Sequence, residues 1–411
     1  MEPTDSLIAK IALSSAMTLT TCNIGFCGSE AWAERQIHLS KIDQVNQGAF
    51  YTPQKLVEIA YDLIKNHIEN FQDYVLIDTS CGYGSFLEND MFPYRIGGDI
   101  DPLAVEKAQK NVPAAVFYEA NALVDVDRKK YNLTGSDKLI VVGNPPYNDT
   151  TSIIRSSIKE KSFPCDKDLR HRDMGMSFLL SFNKLSADYI CVLHPLSYLI
   201  KKTNFKSIRP FTENYKLIDA RIVSSNEFSD VSKITQFPII VALYKRDGQG
   251  MVYDDILKFQ FRLVDGKCFS LDRWCGIGAF VQKYPNQKKV KECEAVAKFY
   301  TLRDINALRR SRTFIKKTAG NTVFVVKKHL KYYCYLDVFK DNINHIPFYL
   351  GNCEPMIDND EFLKIEDCFV YASSLKNPDL NLWEREKVAP DKFEEKIKNY
   401  FKKLLGEHYV E

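Results

Sequence analysis

From Gln47 to about Arg246 the chain predicts an α/β fold built on a doubly wound, mostly parallel sheet, followed by a mixed α+β C-terminal domain. Three observations carry this expectation. Short apolar runs alternate with helical stretches, glycines and acids gather at the ends of those runs, and the periodicity weakens beyond a polar break at Asp247, Gly248, Gln249 and Gly250.

The elements follow in order. "YVLIDTSCGYGSF" (74–86) reads as a strand running into a glycine-bearing turn. "YRIGGDIDPLAVEKAQKN" (94–111) is a second strand closed by acids, followed by a helix that Pro102 can start. "DKLIVVGNPPY" (137–147) and "DYICVLHP" (188–195) are further apolar strands. "YKLIDARIVSS" and "QFPIIVALYKR" (236–246) read as a last pair that could form an antiparallel edge. The terminal stretch 392–405 carries Phe393, Ile397, Phe401 and Leu405 at four-residue spacing, the pattern of a helix docking on a core. The expected division is an N-terminal extension 1–46, an α/β domain 47–246 and a C-terminal domain 247–411.

Composition bounds the function classes. The 45% apolar and 27% charged residues suit an ordinary globular chain and argue against disorder. At 411 residues, division by about 150 gives about 2.7 units, hence two domains and an appendage. Net charge is only +3, but Lys283 to Lys331 holds fourteen Lys or Arg against three acids, so that window is +11 and the remainder −8. The eleven cysteines include no C-x-x-C and no zinc-finger spacing with His, which points to a reduced, cytoplasmic setting. Glu2, Asp5 and Lys10 break the mildly apolar start, and no apolar run is long enough to span a bilayer, so neither a signal peptide nor a membrane partner is expected.

Chemistry concentrates at the strand ends. Asp78, Gly82 and Gly84 form a turn whose backbone can approach a nucleotide-like ligand, although the third glycine of the dinucleotide pattern is lacking. Asp99 and Asp101 end the next strand, where a carboxylate can accept from ribose hydroxyls. Asn144-Pro145-Pro146-Tyr147 closes a later strand: two prolines cannot continue a ladder, and they stiffen a loop with outward carbonyls. The Asn144 carboxamide oxygen beside the Pro145 carbonyl makes two acceptors for an amino group with two N–H donors, and Tyr147 offers a flat face. The alternative is a Pro-Pro turn with an Asn cap. His194, next to Pro195, is read as structural, and Cys81 as a small residue in the glycine turn.

With these pieces the chain resembles the S-adenosylmethionine-dependent, amino-directed adenine methyltransferases. The matches are "GAFYTP" (48–53), "DTSCGYGSF" (78–86), "GGDIDP" (97–102), "EANAL" (119–123) and "VVGNPPYN" (141–148), with "NEFSDVSKITQFPIIVALYK" (226–245) looser; they span about half the chain. Only 22 residues separate Asn121 from Asn144, and the extra mass follows the catalytic fold. This order is similar to the gamma-type subclass, with its recognition domain at the C-terminus, as in type II restriction-modification methylases.

The resemblance implies a seven-stranded, mostly parallel methyltransferase sheet with an antiparallel edge strand, and S-adenosyl-L-methionine as cofactor without a metal. Tyr51, Thr52 and Pro53 would cover the cofactor's methionine end, and Asp78, Gly82 and Gly84 its amino-acid portion. Asp99 would hold the ribose and Ile100 press on the adenine ring, while Asn121 stands where the family usually has Asp. Asn144, Pro145, Pro146 and Tyr147 would bind the target adenine, with Phe228, or its rival Phe237, as a second aromatic against the flipped base. The implied reaction is methylation of adenine N6 in double-stranded DNA, by a monomer or weak dimer serving a separately encoded restriction endonuclease. RNA adenine methylation and protein glutamine methylation are the alternatives, the latter because a glutamine amide presents the same two donors. In the basic window, Arg309, Arg310, Arg312, Lys316, Lys317, Lys327 and Lys328 interleave with aromatics as expected of a phosphate-tracking surface, against the alternative of a solvated charge run.

Overall fold

The structure, a computed structural model, describes residues 52–147, 164–228, 236–282, 290–300, 304–378 and 389–411. Tyr51, the N-terminal extension, Lys283, Lys288, Lys289, Arg303 and residues 148–163 lie outside the described residues. The chain divides into two compact units. One comprises Met1–Val231, Ile239–Ile256 and Gln260–Phe269, the other Ser232–Pro238, Leu257–Phe259 and Ser270–Glu411.

The first unit is built on the doubly wound α/β sheet. Its strands are β1 (Tyr74–Asp78), β2 (Tyr94–Asp99), β3 (Val116–Glu119), β4 (Lys138–Gly143), β5 (Tyr189–Pro195), β6 (Tyr215–Ser224), β7 (Pro238–Arg246), β8 (Phe261–Leu263) and β9 (Cys268–Phe269). They lie in the order β3-β2-β1-β4-β5-β7-β6-β8-β9. The pairs β1–β2, β1–β4, β2–β3, β4–β5 and β6–β8 are parallel, whereas β5–β7 and β8–β9 are antiparallel. Val75 to Ile77 of β1 and Leu139 to Val142 of β4 are buried throughout, as expected of strands covered on both faces.

Two expectations need correction. The sheet has nine strands among the described residues rather than seven, since β8 and β9 continue it past Arg246. The antiparallel strand β7 is not at the edge either: it lies between β5 and β6, and the antiparallel edge pair is β8–β9. The physical reason is in its composition. The run from Pro238 to Tyr244 is apolar at every position and buried throughout, so both its faces and both its edges need cover.

Helices frame the strand ends. Helix α1 (Gln54–His67) starts directly after Pro53 and buries Leu56, Val57, Ala60, Leu63 and Ile64, a stripe at helical spacing. Helix α2 (Pro102–Asn111) has Pro102 at its first turn and Asp101 as its cap, the carboxylate accepting from Leu103 N at 3.0 Å. Helix α3 (Met174–Leu185) is capped in the same way by Asp173, which accepts from Gly175 N at 3.1 Å. No described helix is long and apolar enough to cross a membrane.

The second unit carries small antiparallel pairs: β10 (Cys275–Gly276) with β13 (Met356–Ile357), and β11 (Ala297–Tyr300) with β12 (Thr322–Val325). Its helices include α4 (Ile305–Arg310), α5 (Leu330–Asp341), α6 (Glu366–Lys376) and α7 (Phe393–Leu405). Tyr335 of α5 is fully buried among Phe339, Phe369, Tyr400 and Phe401, with ring centroids 5.1 to 6.2 Å away. Helix α7 buries Ile397, Phe401 and Leu405 of the expected stripe, plus Tyr400.

Candidate active site

Because β2, β1 and β4 are adjacent and parallel, the segments that leave their carboxyl ends emerge side by side. After β1 the chain turns through Gly82 (φ 51°) and Gly84 (φ 89°), left-handed conformations that glycine adopts without strain. This turn is fastened to β2. Cys81 N donates to Gly98 O at 2.9 Å, and Gly82 N donates to Asp99 Oδ2 at 2.9 Å. The other Asp99 oxygen accepts from Asp101 N at 3.0 Å. Burial pushes the Asp99 carboxyl up from its usual range, and the backbone donors at Asp101 and Gly82 oppose that rise. Each Asp99 oxygen keeps acceptor capacity beyond its amide partner. Ile100, the next residue, is 47% exposed, an apolar face at the strand end.

Asp78 is only 2% exposed. Burial pushes its carboxyl up to about 8, a hydrogen bond from Ser80 N opposes this, and the neighbouring Asp99 charge adds to it. Its carboxylate packs against the end of β4. A Cβ on Gly143, where φ is 142°, would lie 2.7 Å from Asp78 Oδ1.

Asn144 follows directly. Its Nδ2 donates to Thr52 Oγ1 at 3.1 Å, tying the residue after β4 to the lead-in of α1. Its Oδ1 is buried and has no hydrogen-bond partner among the described residues. Most buried acceptors are satisfied within the fold, and this one is among the few described side-chain atoms that are not. Tyr147 is half-buried. Burial pushes its phenol up, and a side-chain hydrogen bond with Asn144 works the other way. Below it lies the first turn of α3, where a Cβ on Gly175 would sit 3.1 Å from Tyr147 Cβ. Asp173, the cap of that turn, also accepts from the Tyr198 hydroxyl.

Asn121 is engaged within its own turn and Phe228 is buried, while His194 and Cys81 hold the structural places expected of them. Asn121 Oδ1 accepts from Leu123 N at 2.8 Å and its Nδ2 donates to Pro164 O at 3.2 Å, so the side chain already shapes its own turn. Phe228 is 2% exposed and presents no open face, whereas Phe237 is half-buried. His194 is structural: Nε2 meets the Tyr244 hydroxyl at 2.7 Å, its ring stacks on Tyr198, and burial lowers its pKa to about 4. Cys81 is buried, which raises its thiol well above the usual range and leaves it unsuited to nucleophilic work. Thr52 as a partner of Asn144, and Gly143 and Asp173 as supports, were not anticipated. Gly143 had a signal, since a glycine immediately before Asn144 marks a close backbone approach. Thr52 had none, because 92 positions separate it from Asn144.

In the second unit, Arg309, Arg310, Arg312, Lys316, Lys317, Lys327 and Lys328 are all exposed. Residues 313–315 run along β11, with Tyr300 N donating to Thr313 O at 2.9 Å and Ile315 N to Lys298 O at 3.0 Å, while β12 pairs with the same strand. Lys316 and Lys317 follow the stretch that runs along β11, Lys327 and Lys328 lie just past β12, and the Arg312 guanidinium lies 5.8 Å from the Tyr300 ring centre. Arg309 is braced, its Nη1 donating to Asn344 Oδ1 at 3.0 Å.

Comparison with known proteins is limited to structure. No family model matches the chain, and no curated protein matches it. Among solved structures it is similar to the methyltransferase subunit of a type I restriction-modification system from Streptococcus thermophilus, at 20% identity and a TM-score of 0.36, covering 48% of this chain and 44% of that one. An S-adenosylmethionine-dependent methyltransferase from Anabaena variabilis aligns at 12% identity and 0.31, over 50% of this chain and 92% of that one. A magnesium protoporphyrin IX methyltransferase from Synechocystis, solved with bound SAH, aligns at 12% identity and 0.28, over 47% and 83%. Likenesses this weak carry no information on substrate.

Proposed function

We propose that this chain methylates the N6 amino group of adenine in a particular double-stranded DNA sequence, using S-adenosyl-L-methionine and extruding the target base from the duplex. The observation that carries the reading is the buried Oδ1 of Asn144, directly after β4, which has no hydrogen-bond partner among the described residues. The strand ends fit the cofactor in kind: a glycine turn open to close approach, the Asp99 carboxylate with spare acceptor capacity, and the exposed Ile100. When bound, that cofactor supplies an electrophilic methyl group.

The chain's own residues do the rest. Adenine's amino nitrogen delocalises its lone pair into the ring and is a poor nucleophile. Asn144 Oδ1 and the Pro145 carbonyl accept its two N–H donors in a tetrahedral arrangement, which leaves the lone pair directed at the methyl group. Tyr147 stacks on the extruded base and offsets stacking lost in the duplex. The exposed cations around β11 and β12 track phosphates, which favours a nucleic acid over a glutamine side chain as substrate. Double-stranded DNA and a separately encoded endonuclease are the partners this reading implies.

The test supplies methyl-labelled cofactor with duplex DNA, RNA or glutamine-bearing protein, and identifies the methylated product by mass spectrometry. N6-methyladenine from duplex DNA is expected. Asn144→Ala should lower turnover by about a hundredfold or more while leaving cofactor affinity near its original value. Label in RNA or glutamine alone would replace the DNA reading.

A further inference from the structure

The second unit holds a cleft of about 230 Å3 between α4 and the turn at 343–351, with Gln236, Asn306, Arg309, Asn344, Phe348 and Gly351 on its lining. All six belong to that unit. Two carboxamides there are oriented by partners that play only one role. Asn306 is 8% exposed, and its Nδ2 donates to the main-chain carbonyl of Gln236 at 3.1 Å. A carbonyl accepts and never donates, so the nitrogen faces it and Oδ1 is the free end. That oxygen has no hydrogen-bond partner among the described residues. Gly351 makes room for the group: a Cβ there would stand 2.5 Å from Asn306 Nδ2. Asn344 is oriented the opposite way. The Arg309 guanidinium, which only donates, gives its Nη1–H to Asn344 Oδ1 at 3.0 Å, and Nδ2 is left as the free donor on an exposed residue. The half-buried Phe348 adds an aromatic side chain.

These groups select the ligand. The volume is below the roughly 300–1,000 Å3 of sites for drug-sized molecules, so one small group enters. A bare phosphate or carboxylate has no N–H for Asn306 Oδ1. An aliphatic amide has one, but it makes no use of the Phe348 ring or of the exposed cations Arg310 and Arg312 that follow Arg309. A nucleotide uses all of them. We propose that this cleft binds one nucleotide through its unpaired base: an N–H of the base on Asn306 Oδ1, a base acceptor on Asn344 Nδ2, the ring against Phe348, and the phosphate left to the cations outside. The site lies in the other unit from Asn144 and needs no methyl transfer.

The test measures binding of the full chain, without cofactor, by fluorescence anisotropy. The probes are a DNA duplex with one unpaired thymine, which carries both an imide N–H and carbonyl acceptors, and the same duplex with an abasic sugar at that place. The thymine duplex should bind about fivefold or more tightly than the abasic one. An Asn144→Ala chain should keep this preference, which separates the cleft from the methyl-transfer site and its fate. Asn306→Ala and Asn344→Ala should each bring the two duplexes to within about twofold of one another. Asn344 is exposed, so its variant remains informative if Asn306→Ala fails to fold. Replacing Arg310 and Arg312 by Gln should weaken both duplexes alike and leave the preference in place. Calorimetry with thymidine monophosphate identifies the source: binding that Asn344→Ala weakens admits free nucleotides, and preference in the duplex alone assigns the site to a base carried on a strand. Equal binding of the thymine and abasic duplexes, together with no binding of the free nucleotide, overturns the proposal. So does a preference that survives both asparagine variants.

Discussion

At the scale of single residues, the strand ends gather polar groups that the fold holds at a cost. Asp78 is the clearest case. Its carboxyl is pushed up to about 8 by burial, so the folded chain keeps the proton that the unfolded chain releases near 3.9. The stabilisation is therefore full below the unfolded value and is lost as pH climbs towards and through about 8. Thermal melts from pH 5 to 8 should show wild-type stability falling relative to Asp78→Asn, which has no proton to lose. Parallel curves for the two proteins would assign the pH dependence to another group. His194 illustrates the opposite outcome, a suggestive residue that burial and the Tyr244 hydroxyl confine to packing.

At the scale of elements, the end of β4 is where conformation and chemistry meet. Gly143 has φ 142°, and a Cβ there would stand 2.7 Å from Asp78 Oδ1. Gly143→Ala should thus cost about 1–3 kcal/mol of stability and displace Asn144, lowering turnover more than the stability loss explains. Urea unfolding and turnover, measured on the same preparation, check both halves. An unchanged midpoint together with unchanged turnover would mean that the Asp78 side chain yields freely. The strand β7 makes a related point, since a strand apolar and buried from Pro238 to Tyr244 belongs inside a sheet, and it lies there, antiparallel to β5.

At the scale of the whole molecule, a nearly neutral chain separates its charge, and the described cations between Arg309 and Lys328 named above are exposed on the second unit. Arg309 is braced by Asn344, so Arg310, Arg312 and Lys317 are the better probes of phosphate contact. Replacing these three by Gln should weaken duplex binding and flatten its salt dependence, by roughly 0.9 in the slope of log K against log salt for each lost contact. Fluorescence anisotropy across a salt series reads this, and calorimetry should show cofactor affinity unchanged. An unaltered slope would reduce these side chains to a solvated face and move the search for the DNA surface to the basic segment 155–172.

Much of the molecule was legible in order along the chain. Apolar runs bounded by glycine and acid located β1, β2, β4 and β5, Pro102 marked the start of α2, and the "NPPY" run marked the end of β4 as the chemically distinctive turn. These are local signals, set by φ restriction, capping and side-chain pattern within a few residues. Lateral order is another matter. The interior place of β7 and the extension by β8 and β9 depend on which edges find partners, and no short window of sequence contains that. The same holds in the site. That the Asn144 carboxamide meets Thr52 is a relation between positions 92 apart, so only the folded chain could decide it.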